Sequence, residues 1–144
     1  MASEGFDIVT TGPVDYAPEA DGFRITGSAT ASGTHIGDSG LFTTNELARP
    51  DYQTGVNHVD GEAVVKASSG DELYIHYFGD SPVPNMETGD FADDLQFAIT
   101  GGTGQFEGAT GSGRLTAHGN VNDRPCIVES HLEGTIEVAA AMRS

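Results

Sequence analysis

Several residue types that usually guide a functional assignment are scarce in this chain of 144 residues. It has no tryptophan and one cysteine, Cys126, which excludes a disulfide within the chain and a cysteine-based metal cluster. Lys66 is the only lysine, and six basic residues stand against 22 acidic ones, for a formal net charge of −16. Nucleic acids and anionic membranes bind to basic surfaces, so neither is an expected partner. The acidity favours a solubilising surface, and the alternative is a surface that attracts a basic partner or divalent cations.

Long apolar runs are also absent. No stretch approaches the roughly 18 apolar residues that a membrane-spanning helix needs. Residues 1–12 lack the basic region and the apolar region of a signal peptide. We therefore expect a soluble cytoplasmic protein, or a secreted chain whose leader has been removed.

The sequence instead alternates apolar and polar residues with a period of two, which is typical of half-buried β-strands. The alternation begins at Phe23 and recurs as far as Val138. Seven or eight one-sided strands joined by turns predict an all-β antiparallel barrel or sandwich. A barrel is favoured because small residues recur on the expected inner faces and leave room for a cavity: Gly27, Ala29, Ala31, Gly61, Ala63 and Gly119.

The domain organisation predicted from this pattern is one β-barrel domain over residues 22–144. Residues 1–21 are rich in acidic residues, glycine and proline, and they predict a flexible N-terminal arm with a short strand over residues 6–10. In the segment that contains Asn45, we expect Leu41, Thr43 and Asn45 to share the inner face.

One hairpin carries a resemblance to known proteins. Residues 98–111 (AITGGTGQFEGATG) resemble the strand–turn–strand signature shared by plant allene oxide cyclases, dirigent proteins and small bacterial proteins with the same barrel. The glycines permit sharp turns, and we expect Phe106 to plug the barrel end from a short helical turn. Similar segments elsewhere are YFGD at 77–80, THIG at 34–37, LFTTN at 41–45 and HLEGTI at 131–136.

The resemblance implies a closed eight-stranded antiparallel β-barrel of the allene oxide cyclase-like, calycin-like type. It also implies a homodimer or homotrimer, a hydrophobic small molecule as ligand, and no metal or organic cofactor. The function that it implies is a cofactor-independent cyclase or isomerase of the natural-product type, which folds a reactive substrate into one conformer inside the barrel. The alternative is a non-catalytic barrel that binds a small molecule or serves a structural role.

Two polar residues are the catalytic candidates. Tyr77 lies on an apolar face and matches the tyrosine of the family's YFGD stretch, so its phenol could donate a hydrogen bond to a ligand oxygen. The alternative for Tyr77 is a core tyrosine, and Asn45 is either a ligand contact or part of a buried network. The substrate-binding candidates are Leu41, Thr43, Ile75, Phe97, Cys126 and Val128.

Metal and nucleophile signatures are weak. The five histidines are scattered and lack His-x-His or His-x3-His spacing, so no metal site is expected. Cys126 is interpreted as a small buried hydrophobe rather than a nucleophile. The glycine-rich run that begins at Gly101 lacks the lysine and the long helix of a phosphate-binding loop.

Overall fold

Eight antiparallel strands close into a barrel in which each strand pairs with its neighbours in the chain and β1 pairs with β8. The computed structural model describes residues 2–138. The strands are β1 (Ala2–Glu19), β2 (Gly22–Gly33), β3 (Gly37–Asp51), β4 (Val56–Lys66), β5 (Glu72–Pro82), β6 (Asp90–Gly102), β7 (Thr110–Asn120) and β8 (Cys126–Val138). The predicted all-β closed antiparallel barrel is therefore confirmed.

Strand β1 differs from the predicted flexible arm. Residues 8–19 pair with β2 and residues 2–14 pair with β8, and Phe6 and Ile8 are buried in the core. The ladder to β2 is interrupted at Gly12 and Pro13, because proline has no N–H to donate, while the ladder to β8 continues. Glycine and proline in this segment therefore interrupt one ladder without ending the strand.

The β2–β3, β4–β5 and β6–β7 connections lie at one end of the barrel, which is closed by packed side chains. A 3₁₀ turn at Gly104–Phe106 places Phe106 inside the barrel, where it is 1% exposed, as the hairpin signature predicts. Phe6 and Phe97 contact each other with ring centroids 5.8 Å apart. The largest fully buried side chains around them are Ile8, Ile36, Leu73, Ile75, Leu132 and Ile136.

The opposite end carries the β1–β2, β3–β4, β5–β6 and β7–β8 connections and is less tightly packed. No helix among the described residues is long and apolar enough to cross a membrane.

Strand β3 has the opposite orientation to the one predicted. Its buried positions include Phe42 and Ala48, whereas Leu41 is 41% exposed and Asn45 is exposed. Thr43 shares that outer face, and its hydroxyl donates to the backbone oxygen of Val64. The prediction that Leu41, Thr43 and Asn45 face the interior is wrong. The large Phe42 side chain takes the core position, and the odd-numbered residues next to it therefore face outward.

Candidate functional site

A pocket of about 410 Å³ lies at the less tightly packed end of the barrel. Strand residues form part of its walls, and residues of the connections between strands complete its rim. Most of its surface is apolar. The residues most relevant to binding are Tyr16, Phe23, Ile25, Tyr52, Asn57 and Met86.

Glu46 and Tyr77 form a hydrogen-bonded pair on the inner face next to this pocket. Glu46 is paired in register with Ile25, a pocket residue, on one side and with Gly61 on the other. Gly61 is paired in turn with Tyr77, whose hydroxyl donates to Glu46 Oε1 over 3.0 Å. A side chain at Gly61 would collide with the Tyr77 ring, so glycine at this position lets the phenol cross β4 to reach Glu46.

Asp93 belongs to a second polar group on the inner face. Ser81 lies beside Asn57 in the β4–β5 register, and its side chain hydrogen-bonds the Asp93 carboxyl. Asn57 lines the pocket, and its Oδ1 atom is buried without a hydrogen-bond partner among the described residues. An acceptor of this kind is available to a ligand that carries a donor.

Tyr16 is a half-buried tyrosine in the wall of the pocket. Its hydroxyl is hydrogen-bonded to Cys126 Sγ at 3.2 Å, and its ring lines the pocket. Burial raises the pKa of Tyr16, and the Cys126 contact and the charges of Glu46 and Asp93 raise it further. The charges of both carboxyls therefore influence a residue that lines the pocket.

Burial changes the protonation of both carboxyls. It raises the pKa of Glu46 to about 7, with the Asp93 charge adding to the increase and the Tyr77 hydrogen bond opposing it. It also raises the pKa of Asp93 to about 6, opposed by the hydrogen bond from Ser81. Within residues 2–138, no basic side chain contributes to either pKa shift. A carboxyl with a pKa near neutrality can act as a general acid or a general base.

The architecture that holds these residues is similar to two solved structures. A pterocarpan synthase dirigent protein is 15% identical, with a TM-score of 0.55 over 96% of this chain and 88% of that chain. The chain has a dirigent-like barrel fold. A protein with unknown function from Clostridium acetobutylicum is also 15% identical, with a TM-score of 0.51 over 92% of this chain and 99% of that one.

No protein family and no curated protein matches the sequence. The predicted resemblance to dirigent proteins is therefore confirmed for the fold. The predicted resemblance to allene oxide cyclases stays a prediction.

The dirigent-like barrel separates the two predicted catalytic residues. Tyr77 is buried on the inner face and contacts Glu46. Asn45 is on the outer surface, where its Oδ1 atom accepts a hydrogen bond from Arg24 Nη1 over 3.0 Å. The prediction that both act together inside the barrel is wrong, because adjacent residues of β3 point to opposite faces.

The predicted substrate-binding residues are likewise divided. Leu41 and Thr43 are on the outer face with Asn45. Ile75 and Phe97 face inward but belong to the packed core. Cys126 is buried against Tyr16 at the pocket, and Val128 faces inward and packs against the core. The part that any of these residues plays in binding remains a prediction.

The sequence pattern did not single out Glu46, Asp93, Tyr16 or Asn57 as candidate site residues. A signal for Asp93 was available, because the apolar alternation of β6 extends from Leu95 through Asp93 to Phe91. Glu46 carried no such signal, since the alternation assigns Leu41 and Leu47 to the inner face of the strand, and an acidic residue on the opposite face is normally assigned to solvent.

One group of possible metal ligands lies elsewhere, on the outer face of β1 and β8. Asp7 Oδ1 is 2.7 Å from His131 Nε2, and Glu133 Oε1 is 3.8 Å from His131 Nδ1. The two carboxylates face different ring nitrogens of one imidazole. Because a metal ion binds one imidazole nitrogen, this arrangement suits surface ion pairs better than a shared ligand set.

Proposed function

We propose that this dirigent-like barrel binds a hydrophobic small molecule in its pocket and catalyses a cofactor-independent isomerisation or cyclisation there. Glu46 is the proton-transferring group in this proposal. The observation that carries it is a carboxyl with a pKa of about 7 next to an apolar pocket. Such a pKa leaves both protonation states populated near neutral pH, which suits a group that must both give and take a proton.

Tyr77 is the residue that positions Glu46. Its hydroxyl donates to Oε1, while Oε2 receives no hydrogen bond from the described residues and is left for the ligand. The hydrogen bond also lowers the pKa of Glu46 from the value that burial alone would produce. Tyr77 therefore fixes both the direction and the acidity of the carboxyl.

The proposed reaction conserves protons. Protonated Glu46 delivers its proton to one ligand atom as electron density moves toward that atom, and the resulting carboxylate accepts a proton from a neighbouring carbon. The ligand rearranges with no net gain or loss, and Glu46 returns to its starting state. The apolar walls would hold the ligand in the conformer that reacts.

The likeness to a pterocarpan synthase dirigent protein supports a small-molecule role at the level of the fold. The alternative is a barrel that binds its ligand without changing it. The Tyr77–Glu46 hydrogen bond is also consistent with that alternative, because a buried carboxyl in a packed wall needs a hydrogen-bond donor whether or not it transfers protons.

The first test identifies the ligand and then removes the proton-transferring group. The protein is soaked in a lipophilic metabolite mixture, retained compounds are identified by native mass spectrometry, and their conversion is followed by liquid chromatography with mass detection. We expect Glu46→Gln to retain the ligand and to lose at least about a hundredfold in turnover, the usual contribution of a general acid–base group. Tyr77→Phe should move the pH profile of turnover to higher pH.

The matched control is Glu62→Gln, the same substitution on the exposed face of β4. It should leave turnover unchanged. Turnover that survives Glu46→Gln would overturn the role of Glu46. A retained ligand that the wild-type protein does not convert would instead support the non-catalytic barrel.

A further inference from the structure

We propose that the ligand of this pocket carries a positively charged amine, and that Asp93 and Asn57 bind its ammonium group. This proposal rests on the proposed function only in requiring that the pocket binds a hydrophobic small molecule.

Among the described residues, the one buried polar side-chain atom without a hydrogen-bond partner is an acceptor at the pocket. Asn57 Oδ1 is buried without a partner among the described residues, and leaving such an atom unpaired is unfavourable. The Asp93 carboxyl is bonded by Ser81, which adjoins Asn57 in the register. An ammonium group has three donors and no acceptor, so one such group can satisfy both Asn57 and Asp93.

The charge of the interior favours the same chemistry. Asp93 and Glu46 are both carboxyls, and burial disfavours their ionised forms. A cation next to Asp93 favours the ionised carboxylate and offsets part of the free energy that its burial costs. An anionic ligand would be repelled by the same carboxylate.

Other titratable groups around the site do not supply the missing positive charge. Tyr16 on β1, Tyr77 on β5 and Cys126 on β8 have side chains that carry no positive charge in any protonation state. Arg124 is a cation at the rim of the pocket, but its Nη1 donates to the backbone oxygens of Val121 and Asp123, and it does not contribute to the pKa of Asp93.

The walls indicate an organic cation rather than a metal ion. The rings of Tyr16, Phe23 and Tyr52 line the pocket together with Met86. Aromatic faces attract cations, and apolar walls bind the hydrocarbon part of an amphiphilic amine. The net charge of −16 also raises the local concentration of cations around the protein.

The test compares three probes that share a skeleton and differ in one end group: phenylpropylamine, phenylpropanol and phenylpropanoate. Binding to the full chain is measured by isothermal titration calorimetry near neutral pH. We expect the amine to bind at least about tenfold more tightly than the alcohol, and the carboxylate to bind least, because only the amine brings a positive charge to its hydrogen bonds with Asp93. Asp93→Asn should remove the preference for the amine and leave alcohol binding unchanged.

The control is Asp94→Asn, the same substitution at the adjacent residue, which faces outward and pairs with Arg114. It should keep the preference for the amine. A preference that persists in Asp93→Asn would show attraction to the acidic surface and overturn the proposal. Equal binding of amine and alcohol would overturn it while leaving a pocket that binds hydrophobic molecules, and failure of all three probes to bind would contradict that pocket as well.

A second measurement needs no variant. In the wild-type protein, affinity for the amine should fall as the pH is lowered through about 6, because protonation of Asp93 removes its charge. Affinity for the alcohol should change little over the same range. An amine affinity that does not depend on pH in this range would overturn the assignment to Asp93.

Discussion

Glu46 and Asp93 are acidic residues held on the inner face of a barrel, where water reaches them poorly. Burial is the main cause of the raised pKa of each, and no basic residue among those described offsets it. The ionised form of Glu46 therefore costs free energy in the folded protein that it does not cost in the unfolded chain. Stability must then depend on pH through this residue.

The first prediction at this scale concerns the free energy of unfolding as a function of pH. Glu46 has a folded pKa of about 7 against an ordinary value of 4.5, so the folded state binds more protons between these values. Stability from this residue is therefore highest at low pH and is lost as the pH rises toward 7. Between about pH 5 and about pH 8 the loss should be about 2–3 kcal/mol, measured by urea unfolding.

Glu46→Gln isolates this contribution, since glutamine does not titrate. Its unfolding free energy should vary less with pH than that of the wild-type protein by the same amount. Glu62→Gln, on the outer face, should follow the wild-type curve. Parallel curves for Glu46→Gln and wild type would contradict the raised pKa.

Residue identity also explains how Tyr77 reaches Glu46. The two residues are on β3 and β5, with β4 between them, and Gly61 is the β4 residue in register with both. A side chain there would occupy the space of the phenol ring. The sequence predicted Gly61 as a small inward residue. The need for glycine at this position follows only from the pairing of β3, β4 and β5, which places the Tyr77 ring over Gly61.

At the scale of elements, the 3₁₀ turn at Gly104–Phe106 closes the packed end of the barrel. Phe106 inserts from this turn, and its backbone N–H donates to the Thr103 carbonyl oxygen over 2.9 Å. The turn is therefore held by a local hydrogen bond and by the burial of one large side chain. The glycine pattern around Phe106 predicted this element correctly because turn geometry is a local property.

Phe106→Ala should be strongly destabilising. Removing a phenylalanine that is 1% exposed leaves a cavity at the packed end, and we expect a loss of about 3–5 kcal/mol in the free energy of unfolding, measured by urea titration. Phe78→Ala, on the outer face of β5 at 37% exposure, is the matched control and should cost less than about 1 kcal/mol. Similar losses in the two variants would contradict the role of Phe106 as the plug.

Strands β1 and β3 show where local patterns were insufficient. In β3 both faces carry apolar residues, so alternation alone could not decide between Leu41 and Phe42 as the inward residue. In β1, Gly12 and Pro13 indicated a loop, yet the pairing to β8 runs past them. In both strands the answer depends on partners that are distant in the chain.

For the whole molecule, closure of the barrel and distribution of charge are the governing features. The 22 acidic residues exceed the basic ones by 16, and their mutual repulsion acts against the folded state. Several surface carboxylates are in ion pairs with histidine or arginine, including Asp80 with His58 and Asp60 with His76. These pairs are exposed and contribute little to stability.

Added salt should therefore stabilise the protein. Raising the sodium chloride concentration from about 0.05 M to about 0.5 M screens the repulsion among surface carboxylates, so the midpoint of thermal unfolding should increase. Differential scanning calorimetry at fixed pH would measure it. A midpoint that decreases with salt would mean that attractive ion pairs outweigh the repulsion.

The homodimer or homotrimer remains a prediction at this scale. Exposed apolar side chains on the outer faces of the strands include Val9, Leu41 and Ile127. Light scattering on the purified protein would determine the number of copies.

The sequence by itself determined the all-β class and the inward position of Tyr77, because each depends on alternation within a short segment, and the resemblance of one hairpin to the dirigent-like signature predicted the closed barrel and the plug at Phe106. The tertiary structure alone decided that one end is packed and the other carries a pocket, and that Glu46 and Asp93 face inward on the same barrel as Asn57, which lines the pocket. The physical reason is that pKa values and unpaired acceptors arise from neighbours on other strands. Those neighbours are set by the register of the closed sheet.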